Sequence, residues 1–154
     1  MTPAEIREHV GQLDTALVRR EQEAWDRLRD VGVAVVPYLA EAYRSFRKWQ
    51  GRASLVFHCI RYARQSDDAF RLGLAALSDK SAQVRYRACG LLAYSQRTDA
   101  IARLRPLLEH AEARTVGDAK AAIDAIARRN HHYFVDRDHT GRSFWQVNEG
   151  DGPA

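Results

Sequence analysis

The sequence predicts an all-α fold in which antiparallel helical pairs stack into a solenoid, between a long N-terminal helix and a C-terminal β-hairpin. Three observations lead to this prediction. Apolar residues recur at helical spacing through residues 1–129. The connections between these apolar stretches are only a few residues long, so neighbouring helices run antiparallel. Two long segments also repeat one pattern at an offset of about 31 residues.

Length and composition fit one globular domain spanning residues 1–154. The chain is 45% hydrophobic and 29% charged, an ordinary balance for a folded protein. No apolar run approaches the roughly 20 residues that span a bilayer, and the first residues lack the apolar stretch of a secretory signal. We therefore expect a cytoplasmic protein with no membrane partner.

Charge and cysteine content restrict the chemistry further. Lysine and arginine number 24 against 20 acidic residues, a net charge of +4 that permits an acidic partner without requiring one. Cys59 and Cys89 lie inside apolar helical patterns, which is typical of buried thiols rather than of a disulfide. No phosphate-binding glycine loop and no zinc-ligand spacing is present, so we expect no cofactor and no metal.

The first helix has an explicit start signal. Thr2 is a capping residue, Pro3 occupies the first helical position, and Glu5 completes a capping box. An apolar stripe continues behind it to Leu28, and Gly32 ends it. We expect residues 1–31 to form one helix that covers the N-terminal end of the stack.

Shorter helices follow, and they form about three pairs over residues 33–129. Ser66, Ser81 and Thr98 are placed to cap three of them, and Thr115 and Asp118 repeat the capping-box spacing. The apolar patterns cover residues 33–46, 52–63, 69–77, 84–94, 100–108 and 116–127.

The helical pairs resemble one another in sequence. Residues 69–93 align with residues 100–125, and Arg52 aligns with Arg85 at an offset of about 33 residues. A period of this length in helical sequence is typical of a solenoid whose units bury their faces by stacking.

The segment LSDKSAQVRYRACGLLA resembles a HEAT repeat of the short, armadillo-type kind. The resemblance extends over residues 33–129, although the third repeat has Val116 or Gly117 in place of the arginine and the first lacks the aspartate. In that family the turn aspartate and the arginine of the second helix hold adjacent layers together. The resemblance therefore implies a structural role for Asp79 and Arg85.

Second helices of successive pairs line the concave face of such a solenoid, and basic residues on them are candidates for partner contact. Another protein or peptide is the favoured partner, since proteins of this kind include adaptors, scaffolds and immunity proteins. Nucleic acid is the alternative, but phosphate binding needs about six to ten placed cations and the net charge is small. We expect a monomer or weak oligomer. The candidate residues are Lys48, Trp49, Arg52, Arg61, Arg64, Arg87 and Arg128.

The stretch YFVDRDHTG, residues 133–141, resembles functional motifs. Asp136 and Asp138 resemble the aspartates of haloacid-dehalogenase-type phosphotransferases, but only 14 residues follow Thr140 and none is lysine. The same residues resemble the start of an EF-hand loop, yet Val147 stands where its glutamate belongs. A transition-metal site is a third interpretation, although an extended segment would send the adjacent histidines at 131 and 132 to opposite faces. An enzyme using the tail aspartates remains the second alternative.

A structural interpretation accounts for more of these residues. HHYFVD and RSFWQVN are short runs rich in aromatic and β-branched residues, with Gly141 in the intervening loop. We expect residues 130–149 to form a hairpin in which Trp145 helps to cover the last helical pair, and residues 150–154 to be frayed. The favoured function is non-catalytic binding of another protein.

Overall fold

A computed structural model of the protein describes residues 1–153; Ala154, the end of the tail expected to fray, lies outside them. Within these residues the regular secondary structure is helical and contains no strand, which confirms the all-α class. Single 3₁₀ segments join several of the helices. The α-helices are α1 (Pro3–Gly11), α2 (Val18–Leu28), α3 (Val36–Ala42), α4 (Trp49–Ile60), α5 (Asp67–Ala76), α6 (Ala82–Ser95), α7 (Ile101–Leu104) and α8 (Ala113–Ala127).

The expected long N-terminal helix is wrong, because the chain breaks between α1 and α2. The capping box does form, with the Glu5 amide donating to Thr2 Oγ1 at 3.2 Å. After Gly11 the chain turns, and Asp14 accepts the amides of Arg47 and Lys48 at 3.1 and 3.0 Å. These contacts hold residues 12–17 against the start of α4, a constraint that the helical periodicity does not reveal.

Two sets of contacts organise the helices. The helices α3, α5 and α7 each pack on the helix that follows them, and α4, α6 and α8 contact one another in succession. α1 packs on α2 and α3. The interior between them is aliphatic, and its fully buried side chains include Leu39, Leu55, Leu91, Leu92, Leu104 and Ile126. No helix in the described residues combines the length and apolar character needed to cross a bilayer.

A buried network of hydrogen bonds links successive helical pairs at the turn before α6. Asp79 accepts from Arg52 Nε and Nη2 at 2.8 and 3.2 Å, and its backbone carbonyl accepts from Arg85 Nη1 at 2.8 Å. Arg85 Nε continues the network by donating to Thr115 Oγ1 at 3.0 Å. Arg85 and Asp79 are thus buried, and their hydrogen bonds help to connect α4, α6 and α8.

Arg52 in α4 and Arg85 in α6 make the same kind of contact with the backbone that precedes their helix. Arg52 Nη1 lies 3.4 Å from the carbonyl oxygen of Phe46, six residues earlier, as Arg85 Nη1 binds the carbonyl of Asp79 six residues earlier. The expectation that Arg52 contacts a partner is therefore wrong. The side chain is buried and its donors are taken by Asp79 and by backbone carbonyls.

The expected β-hairpin at residues 130–149 is also wrong, because side chains rather than a partner strand satisfy its backbone. His131–Phe134 forms a 3₁₀ turn that packs on α8 and α6. The Trp145 amide donates to His132 Nδ1 at 2.8 Å, and His131 Nε2 donates to the Trp145 carbonyl at 2.8 Å. The adjacent imidazoles of His131 and His132 thus bind both the amide and the carbonyl of Trp145. Neither group is left to form a hydrogen bond with a partner strand.

The end of the C-terminal segment, residues 130–153, is anchored rather than frayed. Asp151 is buried, and one of its carboxylate oxygens accepts from Tyr94 Oη at 2.7 Å and from the amides of Val147 and Asn148 at 3.2 and 2.7 Å. Burial raises the pKa of Asp151, but these hydrogen bonds outweigh it and the pKa lies below its ordinary value.

Candidate binding cleft

A cleft of about 410 Å³ opens between α4, α6 and the C-terminal segment. Its size falls within the range of ordinary ligand pockets. The walls combine two kinds of side chain, aromatic rings and guanidinium groups, and no aspartate or glutamate lines it. The aromatic members are Trp25, Phe57, Tyr86, Phe134 and Trp145, and the basic members are Arg29, Arg61 and Arg87.

Gly90 lets the aromatic C-terminal segment lie directly on α6. A Cβ atom at this position would meet Phe134 Cε2 at 3.2 Å and Trp145 at 3.4 Å. The rings of Phe134 and Trp145 lie 5.5 Å apart, and Tyr86 stacks on Phe134 at 5.7 Å. The cleft wall is therefore built from one helix and from a segment whose described residues contain a single 3₁₀ turn and neither an α-helix nor a strand.

Two of the three cleft arginines, Arg61 and Arg87, contact aromatic faces rather than carboxylates. The guanidinium carbon of Arg87 lies 4.7 Å from the centre of the Phe57 ring and 5.3 Å from that of Tyr86. Within residues 1–153 neither Arg87 nor Arg61 has a carboxylate at ion-pair distance, whereas Arg29 pairs with Asp26 at 2.6 Å. Two cations thus face the cleft with their charge uncompensated.

A hydrogen-bonded histidine forms one edge of the cleft. His58 Nε2 lies 2.6 Å from Glu21 Oε1, and Ser54 Oγ donates to the same oxygen at 2.9 Å. Trp25 stacks on the imidazole with ring centres 3.7 Å apart and planes 10° from parallel. The hydrogen bond with His58 is the main reason that the pKa of Glu21 lies below its ordinary value, with burial opposing it.

Ser54, His58 and Glu21 share residue types with catalytic triads but not their arrangement. In a triad the hydroxyl donates to the histidine, which removes its proton. Here the Ser54 hydroxyl donates to the carboxylate instead. The arrangement fixes the position of His58 and Trp25 and offers no activated nucleophile.

A second pocket of about 250 Å³ adjoins the cleft, and Phe57, His58 and Arg87 form the wall between the two. The rest of its lining combines the polar residues Thr15, Glu21, Gln50 and Ser54 with apolar side chains that are exposed to an unusual degree. Val18 is 70% exposed, Leu17 55% and Trp49 42%, and the shared Phe57 is 48% exposed. Isolated apolar residues on a surface are normal, but four in one depression form a patch typical of interaction sites.

The residues predicted to contact a partner are only partly brought together. Arg61 and Arg87 line the cleft, and Trp49 lines the adjoining pocket. Lys48 faces a different depression, beside Asp14.

Arg64 and Arg128 are occupied elsewhere. Arg64 Nε donates to the Tyr94 carbonyl at 2.7 Å, and its Nη2 lies 3.2 Å from His131 Nδ1, so it positions the C-terminal segment. Arg128 pairs with Asp124 at 2.9 Å at the far end of α8. The continuous basic stripe expected on this face does not form.

Sequence reasoning missed several residues of the cleft. Trp25, Phe57, Tyr86 and Leu17 were not among the candidate residues. The break at residues 12–17 turns Leu17 outward. The adjacent Phe57 and His58 were an available signal, since two bulky ring residues in succession cannot both face one side of a helix.

Asp136 of the C-terminal segment turns inward to its own loop, whereas Asp138 is exposed. Asp136 is buried and accepts from the Thr140 amide and hydroxyl at 3.0 and 2.8 Å and from the Gly141 amide at 2.8 Å. His139 Nε2 lies 2.5 Å from Asp124 Oδ2 and stacks on Tyr133. Across the described chain no three histidine, cysteine or acidic side chains lie close enough to hold a metal.

Comparison with protein-family models and with curated proteins found no match to this chain.

Proposed function

We propose that the protein is a non-catalytic interaction module that binds another protein through the cleft and the adjoining pocket. The observation that carries the proposal is the contiguity of four exposed large apolar side chains with two arginines that lack carboxylate partners. Aromatic residues and arginine are the residue types enriched at the centres of protein interfaces.

A HEAT-like architecture supports this proposal and is itself part of it. Three helical pairs follow in order, their second helices contact one another in succession, and a buried arginine recurs at matching positions of two pairs. Repeats of this kind present the second helices as one extended surface. The cleft lies on that surface, between α4 and α6.

Nucleic-acid binding has less support. Of the six basic candidates, Arg52 is buried, and Arg64 and Arg128 are engaged with other parts of the chain. The remaining cations do not follow one line, whereas tracking a phosphate backbone needs a continuous basic groove. The enzyme alternative also has little support, because Asp136 is occupied by turn amides.

Site-directed photo-cross-linking in the source cell tests the proposal. Benzoylphenylalanine replaces Val18 or Trp49 in the adjoining pocket, and Leu108 provides a control position that is also exposed. We expect one protein species to cross-link at the two pocket positions and not at the control. Cross-links that are absent, equal at all three positions, or formed only with nucleic acid would contradict the proposal.

Duplex DNA supplies an independent check on the partner class. We expect negligible affinity of the wild-type protein at physiological salt. Tight binding that falls by about 10³-fold or more between roughly 50 and 200 mM salt would instead indicate many phosphate contacts and favour the nucleic-acid alternative.

A further inference from the structure

The two pockets differ in charge, and the difference indicates what kind of segment fits them. The cleft has Arg29, Arg61 and Arg87 and no carboxylate in its lining. The adjoining pocket has a single basic residue, the shared Arg87, and its only acidic residue, Glu21, is hydrogen-bonded to His58 and Ser54. One end of the joined surface is thus cationic, and the other end carries little charge and several exposed apolar side chains.

The cationic end matches carboxylates in both geometry and environment. A guanidinium presents its donors in a planar fork that binds a carboxylate with two parallel hydrogen bonds. Arg87 is half-buried and held between Phe57 and Tyr86, so its position is set before any ligand arrives. A partner carboxylate placed there would be partly shielded from water, which strengthens the attraction.

The apolar end matches a large aliphatic or aromatic side chain. Trp49, Leu17 and Val18 surround the adjoining pocket and leave more than two fifths of each side chain exposed. The wall that Phe57 and Arg87 form between the pockets separates two depressions. Side chains at different positions of one peptide enter separate depressions of this kind, whereas a small ligand fills a single one.

We propose that the cleft and the adjoining pocket together bind an acidic peptide segment of the partner protein. Its carboxylates contact Arg61 and Arg87, and a large apolar side chain of the same segment packs between Trp49 and Val18. This inference rests on the proposed function, and it adds the chemistry of the bound segment and the pocket that each kind of side chain occupies.

Selection from a displayed library of random peptides, about twelve residues long, against the full-length protein tests the inference. We expect the selected peptides to be enriched in aspartate or glutamate close to tryptophan, phenylalanine or leucine. Selection of peptides without acidic enrichment, or of none, would overturn it.

Charge reversal locates the binding. The best selected peptide, labelled with fluorescein, is titrated by anisotropy against the wild type and the R61E/R87E variant, and we expect affinity to fall about tenfold or more. The matched control is R103E/R105E, which makes the same change in net charge at two exposed arginines outside both pockets, and we expect it to change affinity less than about twofold. Equal loss in both variants would show only a general effect of charge and would overturn the inference.

A peptide of opposite charge shows whether R61E/R87E loses affinity because its charge is reversed or because its fold is damaged. The same peptide with its acidic residues replaced by lysine should bind R61E/R87E more tightly than it binds the wild type. If R61E/R87E melts early, the milder R61Q/R87Q is compared with R103Q/R105Q instead. Binding of a labelled single-stranded oligonucleotide that depends on Arg61 and Arg87, with no acidic peptide bound, would also overturn the inference.

The two proposals fail in different ways. Cross-links to one protein at positions 18 and 49, with peptide binding that ignores Arg61 and Arg87, would leave the interaction function standing and reject the acidic segment. Absence of both cross-links and peptide binding would reject both.

Discussion

Arg52 and Asp79 form a two-point ion pair, with Nε and Nη2 of the arginine 2.8 and 3.2 Å from the two carboxylate oxygens of the aspartate. The pair joins α4 to the turn before α6 and is buried on both sides. Burial raises the pKa of Asp79, but hydrogen bonds from Arg52 and Tyr43 outweigh it and hold that pKa below its ordinary value. Tyr43 responds in the opposite sense, because burial and the neighbouring carboxylate raise its pKa.

Replacing Asp79 with alanine should destabilise the fold strongly. The change leaves the Arg52 guanidinium buried without its counter-charge, which typically costs about 3–5 kcal/mol. Urea denaturation followed by circular dichroism measures the loss. Arg71→Ala serves as the control, because Arg71 forms its ion pairs with Asp67 and Asp68 at the exposed surface. A loss no larger than that of the control would show that the buried pair does not hold the layers together.

The helical character of the chain was predictable because its determinants are local. Capping residues and apolar spacing lie within one or two turns of the helix that they specify. The capping box of Thr2 and Glu5 formed as expected, and Ser66 caps α5 by accepting the Ala69 amide at 3.2 Å.

The features that were not predictable depend on residues far apart in sequence. The break after α1 is held by Asp14, which binds amides 33 and 34 residues later. Arg52 and Arg87 look alike in sequence, yet an aspartate 27 residues away buries the first while the second faces the cleft. Runs such as HHYFVD favour a strand, but imidazoles that bind backbone groups give the same residues another structure.

A methyl group at Gly51 should push the turn at residues 12–17 away from α4. A Cβ atom there would lie 2.7 and 2.8 Å from Asp14 Oδ1 and Cα and 2.9 Å from Phe46. Backbone cannot yield as a flexible side chain does, so we expect Gly51→Ala to lower stability by about 1–3 kcal/mol, despite the gain in helix propensity. Thermal denaturation measures the change.

Gly117→Ala is the matched control for Gly51→Ala. Gly117 also lies within a helix, but a Cβ atom there meets only Arg137 Nη1, at an ordinary 3.8 Å. The propensity gain then acts alone, and stability should rise by up to about 1 kcal/mol. Equal effects at the two glycines would refute the close approach at Gly51.

Asp151→Ala should release the end of the C-terminal segment. The substitution leaves the amides of Val147 and Asn148 and the hydroxyl of Tyr94 without their acceptor, at a cost of roughly 1–3 kcal/mol. Limited trypsin digestion reports the release as faster cleavage after Arg142. Asp138→Ala, at an exposed position of the same segment, should leave the cleavage rate unchanged. Comparable acceleration by both variants would mean that Asp151 is not the anchor.

Acidification should destabilise the contact between His131 and Trp145 at a higher pH than the one at which the carboxylates become protonated. Burial lowers the pKa of His131 below its ordinary value of about 6.5, and Arg64 donates to its Nδ1 while His132 and Asp151 lie nearby. The unfolded chain therefore binds a proton below about pH 6.5 that the folded chain resists. This contribution to stability is complete above that pH and is lost progressively as the pH falls toward the lowered pKa.

The acid-sensitive contribution can be separated from that of other groups with His131→Gln. Glutamine retains an amide donor for the Trp145 carbonyl but does not titrate. We expect the wild type to lose more stability than His131→Gln between about pH 7 and pH 5, a range above the ordinary pKa values of aspartate and glutamate. Urea denaturation at each pH measures both proteins, followed by the fluorescence of the three tryptophans, which include Trp145. Parallel stability curves for the two proteins over this range would show that His131 does not titrate against the fold.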